Sequence, residues 1–269
     1  MNIVEKNLVG KHVDQFLCED GIFISNDFIA VIDGVTSKGE LLWNGHKSGV
    51  YAKDLVMNLL KNIPRDISTV ALFNSINKLF KNECAKRNIS ESINEYLRAS
   101  LIIYSGYYKE VWSYGDCQCM IDTQYYPHTK IVDEYIANIR ALFIDSYIEN
   151  NLKVEKNKIN TLSREAINVF IQRQLYLENK NSEFSYGVLN GQPINRNYLN
   201  VYAVESGAEV ILASDGYPRL FSTLIESELN LKGILVEDPL CYKQYKSTKG
   251  VEEGQLSFDD RAYIKFITD

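Results

Sequence analysis

The chain has 269 residues, of which 45% are hydrophobic and 24% charged, and its formal net charge is -6. These values are typical of a globular protein that can bury a sizeable core without disulfides or structural metals. The negative charge argues against nucleic-acid binding, which requires a basic surface.

Several classes of protein are disfavoured by what the sequence lacks. It shows no apolar run typical of a secretory signal and none long enough to cross a bilayer. Its five cysteines have no second ligand pair at zinc spacing, so we expect reduced thiols in the core. No linker or repeat is visible. We therefore expect a single domain over 1–269, in the cytoplasm, without a membrane partner; the oligomeric state is left open.

Apolar patterns predict blocks of strands that alternate with pairs of helices. Strands are predicted as a pair over 22–33, then over 97–105, 109–121, 185–189, 198–204, 208–213 and 262–267. Helices are predicted over 50–63, 68–87, 131–150, 163–178 and 217–230. This order favours packed antiparallel sheets flanked by helix layers over a regular βαβ winding.

Three apolar segments lie next to an aspartate: Asp33, Asp215 and Asp259. A carboxylate beside a buried strand is costly to desolvate unless a cation compensates its charge. Magnesium and manganese prefer oxygen ligands and need only a few carboxylates. A glycine after the aspartate, such as Gly34, can bring its carbonyl oxygen close. A single Asp-Gly pair is often only a turn, but the repetition favours a metal site.

Four motifs, taken in chain order, resemble a known family. They are Ala30–Gly34, Ser113–Cys117, Leu212–Gly216 and Ser257–Ala262. The set resembles the motifs of the metal-dependent protein phosphatases, the protein phosphatase 2C superfamily, and spans almost the whole chain. Residues 35–38 differ from the His-Gly-Gly of eukaryotic members, which places the chain in a divergent branch of bacterial character.

The resemblance implies an α+β fold, a four-layer α-β-β-α sandwich of two antiparallel sheets flanked by helices, with Mn²⁺ or Mg²⁺ bound at one end. By the resemblance, Asp33 would bridge two ions, the Gly34 carbonyl would bind one, and Asp215 and Asp259 would bind the other. The register favours Asp259 over Asp260 without deciding between them. Two such ions activate a shared water for attack on phosphorus, so no protein nucleophile is needed.

The N-terminal acid of the family is harder to place. Asp14 lies nineteen residues before Asp33, close to the usual spacing, whereas the Glu19-Asp20 pair ends thirteen before it. Asp14 is therefore the expected ligand, although glutamate does not precede it. The phosphate-binding arginine of the family has no counterpart here, so Lys11 or His12 would have to replace it. A lysine offers a point charge rather than a bidentate fork.

Two further aspartates have alternative interpretations. By the resemblance, Asp133 would bind a third ion; it could equally be an ordinary acid in the first turn of a helix, where the dipole favours it. Asp116, in the second motif, is expected to hold the turn after its strand.

Histidines and one arginine are weaker candidates. His46 or His12 could act as a general acid, although an ordinary loop histidine is the preferred interpretation of each. His128 has no evident role. Arg173 could contact a phosphate, but an exposed helix face is preferred.

Three functions remain open at this point. The first is a Ser/Thr phosphoprotein phosphatase that depends on manganese or magnesium. The second keeps the chemistry but acts on a small phosphorylated metabolite or nucleotide. The third is a binding or regulatory module that has lost turnover, which the departures around Asp14 suggest.

Overall fold

A computed structural model describes residues 1–89, 91–127, 130–150 and 155–269. The strands in these segments are β1 (Asn2–Val9), β2 (Asp20–Ile24), β3 (Phe28–Val35), β4 (Arg98–Ser105), β5 (Glu110–Tyr114), β6 (Gln118–Ile121), β7 (Gln124–Tyr126), β8 (Asn200–Ala203), β9 (Glu209–Ala213) and β10 (Arg261–Ile267). The helices are α1 (Ser48–Leu60), α2 (Thr69–Lys86), α3 (Ile131–Asn150), α4 (Lys156–Ala166), α5 (Asn168–Arg173) and α6 (Leu224–Glu237).

The strands form two five-stranded antiparallel sheets. The first has the order β1-β10-β9-β6-β7 and the second has the order β2-β3-β4-β5-β8. One apolar core joins their facing sides, with Ile29 and Val31 from the second sheet and Val210, Leu212 and Ile264 from the first. The two sheets therefore pack face to face as a sandwich.

Helices cover the outer face of each sheet. Ala30 and Ile32 alternate with the inward-facing residues of β3, and they pack with Val56 of α1 and Phe73 of α2. Leu231 of α6 packs in the core on the outer side of the first sheet. The alternation follows from the two-residue period of a strand, and β3 is apolar throughout because both of its faces are covered. The predicted four-layer α-β-β-α sandwich is confirmed.

Helices α3 and α4 hold the long loop between α6 and β10. Arg140 of α3 is fully buried and donates to the carbonyl oxygens of Leu240 (2.8 Å) and Ser247 (3.0 Å) and to Asn160 Oδ1 (2.6 Å). A guanidinium group suits this role because it carries several donors in a fixed plane. This loop carries Lys249 and closes one side of the cavity described below. None of the helices in the described segments has the length and apolar character that a lipid bilayer requires.

The prediction of one strand over 109–121 was wrong. The chain crosses from the second sheet to the first between β5 and β6. Gly115 makes the crossing with a φ of +114°, and a Cβ at that position would lie 2.2 Å from Ser100 Oγ. Only glycine meets both conditions, so the second motif marks the point where the chain changes sheets.

Other boundaries also differ from the predictions. The predicted strand over 185–189 is absent from the sheets and makes only isolated bridges, such as that between Leu189 and Ala99. The predicted helix over 163–178 is broken at Ile167. The helix predicted over 217–230 begins only at Leu224, because Thr223 caps it by accepting a hydrogen bond from a backbone N–H. Strand β1 was not predicted.

Candidate metal centre

A cavity of about 750 Å³ lies where the ends of several strands meet helices α3 to α5 and the loop that carries Lys249. Three carboxylates stand together in its wall: Asp33 of β3, Asp116 between β5 and β6, and Asp215, two residues after the end of β9. One oxygen from each lies within 4.8 Å of the others. Aspartates that are far apart in the sequence thus converge, because each stands at a strand end on the same side of the sandwich.

Strand pairing and one serine fix the positions of these carboxylates. Asp33 lies opposite Ser100 of β4 in the sheet. Ser100 Oγ donates to Asp116 Oδ1 at 2.5 Å and accepts from the Asp116 backbone N–H at 3.3 Å. Asp116 was expected only to hold its turn. The structure gives it that position and also brings its carboxylate to Asp33 and Asp215.

Glu19 lines the cavity and Asp20 is buried beside Asp33, whereas Asp14 has neither position. Asp20 begins β2 and faces Asp33 directly across the hairpin; its buried carboxylate accepts from Ser214 Oγ at 2.5 Å. Asp14 is exposed, does not line the cavity, and caps a short 3-10 turn by accepting from a backbone N–H. The structure therefore places Asp14 outside the wall of the cavity and Glu19 within it. The β2–β3 hairpin is the sequence feature that could have indicated this position, because a tight turn after Ile24 pairs Asp20 with Asp33.

Glu19 lies beside Gly34, where the backbones approach unusually closely. The Gly34 N–H donates to the Glu19 carbonyl at 3.0 Å, and Thr36 Oγ1 donates to the Glu19 carboxylate. A Cβ on Gly49 would lie 2.1 Å from Glu19 Oε1 and 2.8 Å from the Gly34 carbonyl oxygen. Those two oxygens are therefore neighbours on the side of Asp33 next to α1.

Two lysines hold the acids that precede β10. Lys11 Nζ lies 3.3 Å from Glu19, 3.3 Å from Asp259 Oδ1 and 3.1 Å from Asp260 Oδ2. Lys249 pairs with the other oxygen of Asp259. Burial alone would lower the pKa of Lys11, but the charges of Asp259, Glu19 and Asp260 outweigh it and raise that pKa. Lys11 was predicted to bind phosphate; its ammonium group is instead engaged by carboxylates.

Burial and repulsion favour the protonated forms of the other acids. Burial raises the pKa of Asp20, Asp33 and Asp215, and neighbouring carboxylates raise it further; for Asp215 it reaches about 7. By contrast, Lys249 and Lys11 outweigh the effect of burial on Asp259 and lower its pKa. Clustered carboxylates with oxygen donors alone are the donor set that hard divalent cations such as Mg²⁺ and Mn²⁺ prefer. The residues present thus fit such an ion.

Comparison of the chain with models of protein families, and with curated protein sequences, gives no match. Among solved structures, the serine/threonine phosphatase Stp1 from Staphylococcus aureus is similar, with a TM-score of 0.50, 13% identity, and coverage of 100% of this chain and 95% of that one. The chain has the protein phosphatase 2C fold.

Two further solved structures, both with metal ions, also align with the chain. The catalytic domain of the serine/threonine phosphatase PstP, in complex with two manganese ions, aligns with a TM-score of 0.49 and 12% identity over 100% of both chains. RsbX, in complex with magnesium, aligns with a TM-score of 0.45 and 14% identity over 99% of this chain and 98% of that one.

Within this protein phosphatase 2C fold, Asp133 lines the cavity but lies outside the group of three carboxylates. Lys130 Nζ lies 2.9 Å from Asp133 and 4.0 Å from Asp116. A lysine therefore stands between the candidate for a third ion and the centre.

The remaining predicted residues lie around or away from the cavity. His12 lines it and makes a backbone bridge to Gln255. His46 is exposed on the loop before α1 and does not line it. Arg173 is exposed at the end of α5, near the Tyr176 ring, and also does not line it. His128 lies outside the described residues.

Proposed function

We propose that the chain is a phosphohydrolase that depends on Mn²⁺ or Mg²⁺ and removes phosphate from phosphorylated serine and threonine residues of proteins. One observation carries the proposal: Asp33, Asp116 and Asp215 converge in the wall of a cavity large enough for a phosphorylated side chain. The similarity in fold to the serine/threonine phosphatase Stp1 supports the substrate class.

We assign the ligands from their positions. Asp33, Asp116 and Asp215 would hold one cation, and Asp33, with Glu19 and the Gly34 carbonyl, would face a second. Divalent cations bound there would supply a water of lowered pKa and neutralise charge on the phosphoryl oxygens.

The protein residues have their own tasks in this proposal. Burial and neighbouring carboxylates raise the pKa of Asp33 and Asp215, so in the chelated protein these two acids favour holding a proton near neutral pH. Cation binding therefore releases that proton, which makes affinity rise with pH. Lys11 compensates the acids before β10, so that the centre does not accumulate more negative charge than the cations offset.

Two other functions keep specific support. A cavity of about 750 Å³ also suits a whole phosphorylated metabolite or nucleotide. A phosphate-binding module without turnover is supported by Asp259, because two lysines hold both of its oxygens. A panel of phosphopeptides and metabolites separates the two substrate classes. Calorimetric titration with manganese, followed by an activity assay, separates binding from turnover.

Hydrolysis of p-nitrophenyl phosphate, with and without manganese, tests the main proposal. We expect activity only with the metal, and its loss in Asp33→Asn. Asp14→Asn is the matched control, because Asp14 is exposed and outside the cavity; it should keep wild-type activity. Full activity in Asp33→Asn, or in the chelated wild type, would contradict the proposal.

A further inference from the structure

The loop between β3 and α1 places one lysine, Lys38, in the wall of the cavity. The backbone N–H groups of Lys38 and Gly39 both donate to the Asn94 carbonyl oxygen at 2.9 Å. The preceding N–H, of Ser37, donates to Ser48 Oγ at 2.6 Å. Three hydrogen bonds in succession fix the backbone here, so the position of Lys38 is built into the fold.

Within the described segments, the ammonium group of Lys38 has neither a hydrogen-bond acceptor nor a carboxylate partner. The charges that act most strongly on it are those of Arg164, Lys249, Lys130 and Arg98, all of which line the same cavity. Burial, followed by the charges of these residues, lowers the pKa of Lys38 to about 7. An ammonium group held in this way is unfavourable for stability unless an anion joins it.

Three of the neighbouring cations already have acidic partners. Lys249 pairs with Asp259, Lys130 lies 2.9 Å from Asp133, and Arg98 Nε lies 2.5 Å from Glu178. Arg164 differs from them. Within the described segments its guanidinium group donates to a backbone carbonyl, that of Thr248 at 2.6 Å, and has no ion pair. Burial lowers the pKa of Arg164 as well, and the charges of Asp133, Glu252 and Asp259 offset only part of that effect.

Lys38 and Arg164 thus approach the cavity from different parts of the fold, the loop after β3 and helix α4, each with unused donors. We propose that together they form an anion subsite that binds a phosphate group. The assignment rests on the proposed function in one respect: in a phosphohydrolase this group is the phosphoryl group of the substrate or the phosphate released from it. A phosphate dianion fits because it carries two charges and enough oxygens to accept from an ammonium and a guanidinium group at once.

Inorganic phosphate, titrated into the manganese-loaded protein in a calorimeter, is the direct probe. Lys38→Met should weaken phosphate binding by about tenfold or more, as expected for the loss of a charged, partly desolvated partner. Lys38→Arg should retain most of the affinity. Lys47→Met is the matched control: Lys47 is an exposed lysine of the same loop at the edge of the same cavity, and removing it changes the net charge equally. It should leave the affinity within about twofold.

Thermal melting without phosphate gives a second readout. Lys38→Met should melt at a higher temperature than the wild type, because it removes an uncompensated charge. Loss of phosphate binding together with a lower melting temperature would mean that Lys38 is merely structural, and would overturn the subsite. Wild-type affinity in Lys38→Met, or an equal loss in Lys47→Met, would overturn it too.

The two proposals fail in different ways. Phosphate binding that depends on Lys38, in a protein that hydrolyses no phosphoester, would support the subsite and contradict the phosphohydrolase. Metal-dependent hydrolysis with unchanged phosphate affinity in Lys38→Met would overturn the subsite and leave the phosphohydrolase in place.

Discussion

Asp215→Asn should have opposite effects on stability in chelated and metal-loaded protein. In the chelated fold, burial and the charges of Asp259 and Asp116 raise the pKa of Asp215 from 3.8 to about 7. The unfolded chain therefore releases this proton at a lower pH than the folded chain does. For an acid with a raised folded-state pKa, stability is highest below the unfolded pKa and is lost as pH rises toward the folded pKa.

The magnitude follows from that shift. At about 1.4 kcal/mol per pKa unit, the difference between 3.8 and about 7 corresponds to about 4 kcal/mol of destabilisation at neutral pH. Between about pH 5 and pH 7 alone, about 2 kcal/mol of unfolding free energy should be lost. Asparagine carries no charge, so the chelated variant should be more stable than the wild type at neutral pH by about 2 kcal/mol, after allowance for its buried amide.

Urea unfolding at several pH values, with a chelator and then with manganese, measures both effects. With the chelator, the variant should unfold at higher urea and show a weaker pH dependence. With manganese, only the wild type should gain substantial stability. Asp145→Asn, at an exposed position of α3, controls for the loss of a negative charge. A variant that is less stable in chelator at neutral pH, or that gains as much from manganese as the wild type, would refute this reasoning.

Three further predictions test the centre from other sides. Gly34→Ala should lower the unfolding free energy by about 3 kcal/mol or more, because a Cβ would lie 2.1 Å from a backbone carbonyl oxygen. Gly233→Ala, in open space on α6, is the control and should raise the unfolding free energy by about 1 kcal/mol; thermal melting compares the two variants. Lys11→Met should bind manganese more tightly, as a calorimetric titration would measure. The same variant should destabilise the chelated protein by about 3 kcal/mol in urea unfolding, because three carboxylates lose the ammonium group that compensates them. Asp20→Asn should weaken manganese binding by about tenfold or more and Asp14→Asn should leave it unchanged, so equal losses in a calorimetric titration would contradict the placement of Asp20.

Apolar patterns were enough to predict the layers of the fold and two of the central acids. The run before Asp33 is apolar at every position because a sheet covers one of its faces and helices the other. An aspartate at the end of such a run is costly without a partner, which is why Asp33 and Asp215 could be selected from the sequence.

Sequence spacing did not predict the position of residues that are placed by strand pairing or by long-range contacts. Counting residues favoured Asp14, but the register of the β2–β3 hairpin sets Asp20 opposite Asp33. Asp116 reaches the cluster only because Gly115 carries the chain from one sheet to the other. The partners of Lys11 include two acids about 250 positions away, and no local pattern records such a long-range ion pair.

The location of Asp33 and Asp215 has a mechanical consequence. Asp33 belongs to the sheet that begins with β2, Asp215 follows β9 of the opposite sheet, and Asp116 lies on the segment that crosses between them. A cation held by all three would cross-link the two sheets at one end of the sandwich. Separation of the two sheets would then require the cation to dissociate first, so metal should slow unfolding more than it speeds folding. Chelators would in that case shorten the lifetime of the folded chain, in addition to removing the cations that the proposed activity requires.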